Sequence, residues 1–67
     1  MFTLKFFAHD GSYTAHACAS YTVTRIDGKR YVDIDGGMRK PIDQKLIVEN
    51  SDGKTIDLLR GGRHGLV

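Results

Sequence analysis

The 67-residue sequence predicts an all-β fold, and three observations carry that prediction. Apolar and polar residues alternate with the period of a strand over most of the chain. Asp-Gly recurs at Asp10-Gly11, Asp27-Gly28 and Asp52-Gly53, each time between two alternating runs, and this is a strong short-range hairpin signal. Eight glycines against one proline suit strands joined by tight turns. The expected architecture is a five-stranded antiparallel meander curled into a small SH3-like or OB-like barrel; the alternative is an open sheet stacked in a homodimer. Closure is favoured because it removes exposed edges.

The first strand is Phe2 to His9. Phe2, Leu4, Phe6 and Ala8 share the face expected to be buried, and Thr3, Lys5, Phe7 and His9 share the other. A two-residue turn at Asp10-Gly11 pairs His9 with Ser12. The rungs that follow are Ala8 with Tyr13, Phe6 with Ala15, Leu4 with Ala17 and Phe2 with Ala19. Each of these rungs sets a large residue against a small one. The next strand runs from Tyr13 to Ile26 and is shared by two hairpins. Its alanines recur at every second position, which is strand spacing, although alanine is the best helix former. Asp27-Gly28 then pairs Ile26 with Lys29, Arg25 with Arg30, Val23 with Val32 and Tyr21 with Ile34.

Gly36 to Asp43, GGMRKPID, reads as a loop, because a glycine pair and Pro41 do not fit a central ladder. Gln44 to Asn50 and Lys54 to Arg60 form the last hairpin. A three-residue turn with Gly53 left-handed pairs Val48 with Ile56 and Leu46 with Leu58. Residues 1–60 are read as one domain and 61–67 as a flexible tail. That tail holds a single Arg-Gly-Gly triplet, and one copy is not an RNA-binding array.

At this length a single core sits near the lower limit of independent stability, so association with a second chain is expected. Cys18, the only cysteine, excludes an intrachain disulfide. No apolar run is long enough to span a bilayer, and Met1 leads directly into alternating residues rather than a secretory signal. A cytoplasmic location is therefore expected. The formal charge of +2 neither demands nor excludes nucleic acid.

Chemistry-bearing constellations are sparse. His16 and Cys18 are expected on one outer face, the thiol against Thr3, roughly 7 Å apart by strand rise and near a metal-bridging distance, but the expected register keeps His9 away and only His64 in the tail could join them. No metal site is expected. Asp33 with Asp35, or Cys18 with His16, lacks a third orienting group, and no glycine-rich phosphate loop is present. No catalytic activity, cofactor or small-molecule substrate is predicted.

Two surface sets remain. Phe7, Ile26, Ile47 and Leu59 are large apolar residues expected to point outward, a candidate protein interface. Arg25, Lys29 and Arg30 at one hairpin tip, with Tyr31, Arg39 and Lys40, are candidates for nucleic acid. The first set favours a small non-enzymatic binding module that works by protein contact, either as a homodimer or as an inhibitor or adaptor of a larger partner. The second set supports the alternative, a nucleic-acid-binding barrel with a basic hairpin tip.

Overall fold

The structure, a computed structural model, describes residues 1–61; the rest of the expected tail, including His64 and the end of the Arg-Gly-Gly triplet, lies outside the described residues. The described chain is all-β. Its strands are β1 (Phe2–Phe7), β2 (Tyr13–Cys18), β3 (Tyr21–Ile26), β4 (Lys29–Ile34), β5 (Met38–Pro41), β6 (Lys45–Glu49) and β7 (Thr55–Arg60). They form two antiparallel sheets, β2-β1-β6-β7 and β3-β4-β5, rather than one five-stranded meander. No closed barrel joins them among the described residues. The stacking assigned above to a second chain is supplied within one, because the two sheets face each other. Among the described residues no helix is long and apolar enough to cross a membrane.

Three further expectations are corrected. The shared strand from Tyr13 to Ile26 breaks at Ala19-Ser20, and its halves enter different sheets. The Asp35 carboxylate holds this corner, accepting from the backbone N–H of Ala19 at 2.8 Å and of Ser20 at 3.1 Å. The Asp35 N–H donates back to the Ser20 carbonyl at 3.0 Å. Secondly, the stretch read as a loop contains β5, whose Pro41 is tolerated because β5 is an edge strand.

Thirdly, the first hairpin is displaced by one residue. The observed rungs are Phe7 with Tyr13, Lys5 with Ala15, Leu4 with His16, Thr3 with Ala17 and Phe2 with Cys18. His9-Asp10-Gly11 forms a three-residue loop: the Gly11 N–H donates to the Ala8 carbonyl at 3.1 Å and the Ala8 N–H to the Ser12 carbonyl at 2.9 Å. A one-residue shift exchanges the faces of a strand. Ala15 and Ala17 are therefore exposed, while Cys18 lies in the core with only 3% of its surface accessible.

The second hairpin has the expected register throughout, from Tyr21 with Ile34 to Ile26 with Lys29. The third has the expected turn, with Asn50 and Lys54 closing it and the Gly53 N–H donating to the Asn50 carbonyl at 3.0 Å. Beyond Glu49 and Thr55 a bulge inserts Ile56, so Val48 pairs with Asp57 and Leu46 with Leu59. The bulge exchanges the faces of β7.

Leu4, Cys18, Val32, Ile34, Ile42, Leu46 and Val48 form the core between the sheets, flanked by Phe2, Phe6, Tyr21 and Leu59. Residues 42–44 carry the chain across from one sheet to the other, with the Ile42 N–H bonded to the Arg30 carbonyl and the Gln44 N–H to that of Phe7. Gly61 packs directly on this crossover. A Cβ at that position would collide with the Ile42 carbonyl, so only glycine fits.

Candidate protein-contact face

The outer surface of β2-β1-β6-β7 is built from three rows set by the observed rungs. They are Ala17, Thr3, Glu49 and Thr55; Ala15, Lys5, Ile47 and Leu58; and Tyr13, Phe7, Lys45 and Arg60. No described element covers them. Tyr13 and Leu58 are about half exposed, at 53% and 52%, as is the bulge residue Ile56 at 47%. The two alanines, on edge strand β2, lower one flank of the face.

Cations and rings on this face are organised against one another. The Phe7 and Tyr13 rings pack with centroids 5.0 Å apart. The Lys45 ammonium lies 4.8 Å from the Phe7 centroid and that of Lys5 lies 5.3 Å from Tyr13. Lys5 also donates to the Glu49 carboxylate at 3.0 Å, and this bond holds its ammonium above the ordinary lysine pKa. Glu49 is the one carboxylate in the three rows and is already engaged. Lys45 and Arg60 are thus left to set the sign of the face.

Of the four expected interface residues, the structure brings two together: Phe7 and Ile47 occupy adjacent rows of this face. Ile26 is exposed at the tip of the other sheet. Leu59 points the opposite way, against the core, because the bulge at Val48 and Glu49 turned β7 over. Leu58 takes the place expected of it. Tyr13, Lys45, Leu58 and Arg60 were not singled out from the sequence. The signal that could have found Tyr13 is local, Ser12 directly after Gly11, whereas the bulge that turns Leu58 outward has no local signal.

The six expected nucleic-acid residues divide between two surfaces. Lys40 pairs with buried Val32 and shares the inward face of β3-β4-β5 with Arg25 and Arg30. Its ammonium lies 5.3 Å from the Phe6 ring centroid and 3.4 Å from His16 Nε2. Lys29, Tyr31 and Arg39 alternate onto the outward face. There Arg39 is engaged by Asp33 through two bonds of 2.7 and 3.2 Å, and the guanidinium keeps the Asp33 carboxyl below its usual range. The Arg30 guanidinium instead donates to the Arg60 carbonyl at 3.1 Å, joining the basic hairpin tip to the end of β7.

His16 and Cys18 face inward, opposite Leu4 and Phe2, rather than lying on an outer face beside Thr3. Burial, reinforced by the Asp35 charge, pushes the Cys18 thiol up, which makes it a poor nucleophile. Among the described residues no group of three or more histidines, cysteines or carboxylates could hold a metal ion. No protein-family model matches this sequence, and no curated protein or solved structure matches it.

Proposed function

We propose that the chain is a small non-enzymatic binding module that acts by protein contact through the outer face of β2-β1-β6-β7. The observation that carries this reading is the exposure of Tyr13 and Leu58 on one face with Phe7 and Ile47, flanked by alanines and covered by no described element. Aromatic and aliphatic side chains left in water in this way favour a partner that desolvates them. Lys45 and Arg60 give the partner its chemistry: an apolar surface with carboxylates at its rim. The finer architecture goes with the same proposal, two sheets curved toward a small SH3-like barrel with open seams.

Affinity capture with the wild-type chain and with Leu58→Glu tests this reading. A partner retained by the wild type and by a control altered outside the face, Lys54→Ala, but lost with Leu58→Glu supports it. Equal retention by both variants refutes it.

Nucleic acid remains the second reading, favoured by one arrangement. Tyr13, Phe7, Lys45 and Arg60 form a single cross-strand row that Arg30 extends onto the other sheet. Binding of a labelled single-stranded oligonucleotide that weakens steeply with salt would favour it, and no binding at low salt removes it.

A further inference from the structure

Among the described residues the two open sheets leave four edge strands, and three of them are blunted. β5 has only four residues, ends at Pro41 and turns Lys40 inward. β7 carries the bulge and the inward Asp57. β2 is linked to β5 through the 3.4 Å approach of Lys40 to His16. These are the features by which sheet edges avoid pairing with other chains. β3 has no proline and no bulge; its inward charge, Arg25, lies beside the turn, and its Tyr21 reaches Asp57 of β7 at 3.4 Å. Its six residues, YTVTRI, include four β-branched side chains, no proline and one charge.

The backbone of β3 is also set in phase for pairing. The two-residue turn closes on Ile26 and Lys29, and the Asp35 N–H donates to the Ser20 carbonyl at the other end. Alternation between these ends directs the N–H and C=O groups of Thr22 and Thr24 to β4, and those of Tyr21, Val23 and Arg25 to the free edge. Val23 is 37% exposed although its rung partner Val32 is wholly buried, so the inward face is uncovered at Val23. Arg25 lies directly opposite Arg30, an unfavourable like-charge pair. Among the described residues no carboxylate lies within ion-pair distance of it.

We propose that β3 pairs antiparallel with β3 of a second copy of this chain about a two-fold axis at Val23. In that register Val23 meets its own symmetry mate and covers it, and each Arg25 lies opposite the other copy's Tyr21. The Tyr21 hydroxyl donates to the Asp57 carboxylate at 3.4 Å, so the incoming guanidinium meets an aromatic ring with a carboxylate beside it. The arrangement is self-complementary: the cation with no carboxylate of its own in one copy finds the ring and the acid of the other, twice. Pairing adds roughly six N–H···O bonds and merges two three-stranded sheets into one. It uses an edge, not the outer face of β2-β1-β6-β7, and stands independently of the function proposed for that face.

Sedimentation equilibrium from about 10 μM to about 1 mM tests it, a range suited to a small edge-to-edge contact. The expected result is a species of twice the 7.5 kDa chain mass at the upper end. Val23→Lys, which sets two ammonium groups face to face, and Arg25→Glu, which turns attraction toward Asp57 into repulsion, are each expected to weaken association tenfold or more. Val23→Thr and Leu58→Glu are expected to leave it unchanged. Amide exchange in the wild type supplies a readout that needs no variant to fold: the Val23 and Arg25 N–H groups become protected as concentration rises. A monomer throughout the range overturns the proposal. So does a dimer disrupted by Leu58→Glu but not by Val23→Lys, or exchange at Val23 that does not depend on concentration.

Discussion

The first and second hairpins carry the same Asp-Gly dipeptide and fold it differently. In the second, Asp27 and Gly28 both take positive φ, 53° and 81°, and the two-residue turn matches strand twist without help from a side chain. In the first, only Gly11 is left-handed, at 91°, and the loop is one residue longer. The difference lies in the residue that follows. Ser12 donates to the Asp10 carboxylate from its backbone N–H at 2.9 Å and from its hydroxyl at 2.6 Å, and Lys29 at the corresponding place has no hydroxyl to offer. The third hairpin follows the first: Asn50 accepts from the N–H groups of Asp52 and Lys54, and only its glycine is left-handed. Loop length therefore sets which face of β2 enters the core, and the Ser12 bonds accompany the longer loop.

The largest expected effect separates the two registers of the first hairpin. Cys18→Ser places a hydroxyl in the core and should cost about 1–3 kcal/mol, whereas Ala17→Ser, on the exposed face, should stay within about 0.5 kcal/mol. Urea denaturation of both variants decides the matter. A two-residue turn would reverse the order, because Ala17 would then be inside.

A smaller effect distinguishes the turns themselves. Gly28→Ala and Gly11→Ala both force an alanine into the left-handed region and should each lose about 1–2 kcal/mol. Asp27→Gly, by contrast, relieves a left-handed aspartate and should change stability by no more than about 0.5 kcal/mol. Asp10→Gly removes the acceptor of both Ser12 bonds and should destabilise measurably more than Asp27→Gly. Equal losses from the two aspartate variants would mean that the Ser12 contacts do not select the loop.

The smallest effect is a titration. Bonds from the Ser12 hydroxyl and backbone hold the Asp10 carboxyl below its ordinary value of 3.8. A depressed folded pKa contributes stability that is present above the unfolded value and is lost as pH falls through the folded one. The wild type should thus lose part of its margin below about pH 4, and Ser12→Ala should lose less over the same window while Asp10 titrates higher by NMR. At the alkaline end the sign inverts. Burial raises both the Cys18 thiol, from 9.0, and the Tyr21 phenol, from 10.0, so their stabilisation is present below those values and lost as pH rises past the folded ones. Cys18→Ala should weaken the alkaline dependence, although it lowers stability at neutral pH.

Much of the fold could be read locally. The all-β class, the positions of the three turns, the complete register of β3 with β4 and the place of Asp33 opposite Thr22 all follow from neighbouring residues. The candidate face was half legible: Phe7 and Ile47 were placed correctly on it, and Leu59 was assigned its neighbour's position. The pairing of large residues with alanines in the first hairpin is an instructive failure. It suits a register in which Ala15 and Ala17 are inside, but His16 and Cys18 fill the same inward positions with more apolar contact, Cys18 beside Phe2 and His16 edge-on to Phe6 at 5.9 Å.

The sequence by itself determined the hairpin strands, though neither β5 nor the break between β2 and β3, and where the three hairpins turn, because alternation and turn chemistry act over a few residues. Tertiary structure decided the rest. Whether Tyr13 to Ile26 runs straight or breaks depends on Asp35, which reaches the corner only after β4 has folded back. Whether Leu58 or Leu59 faces water depends on a bulge that no local rule requires, set where Val48 must stay buried while Asp57 meets Tyr21. In strands of period two a single inserted residue exchanges inside for outside, so the identity of the exposed surface is settled by long-range contacts even where every strand is settled locally.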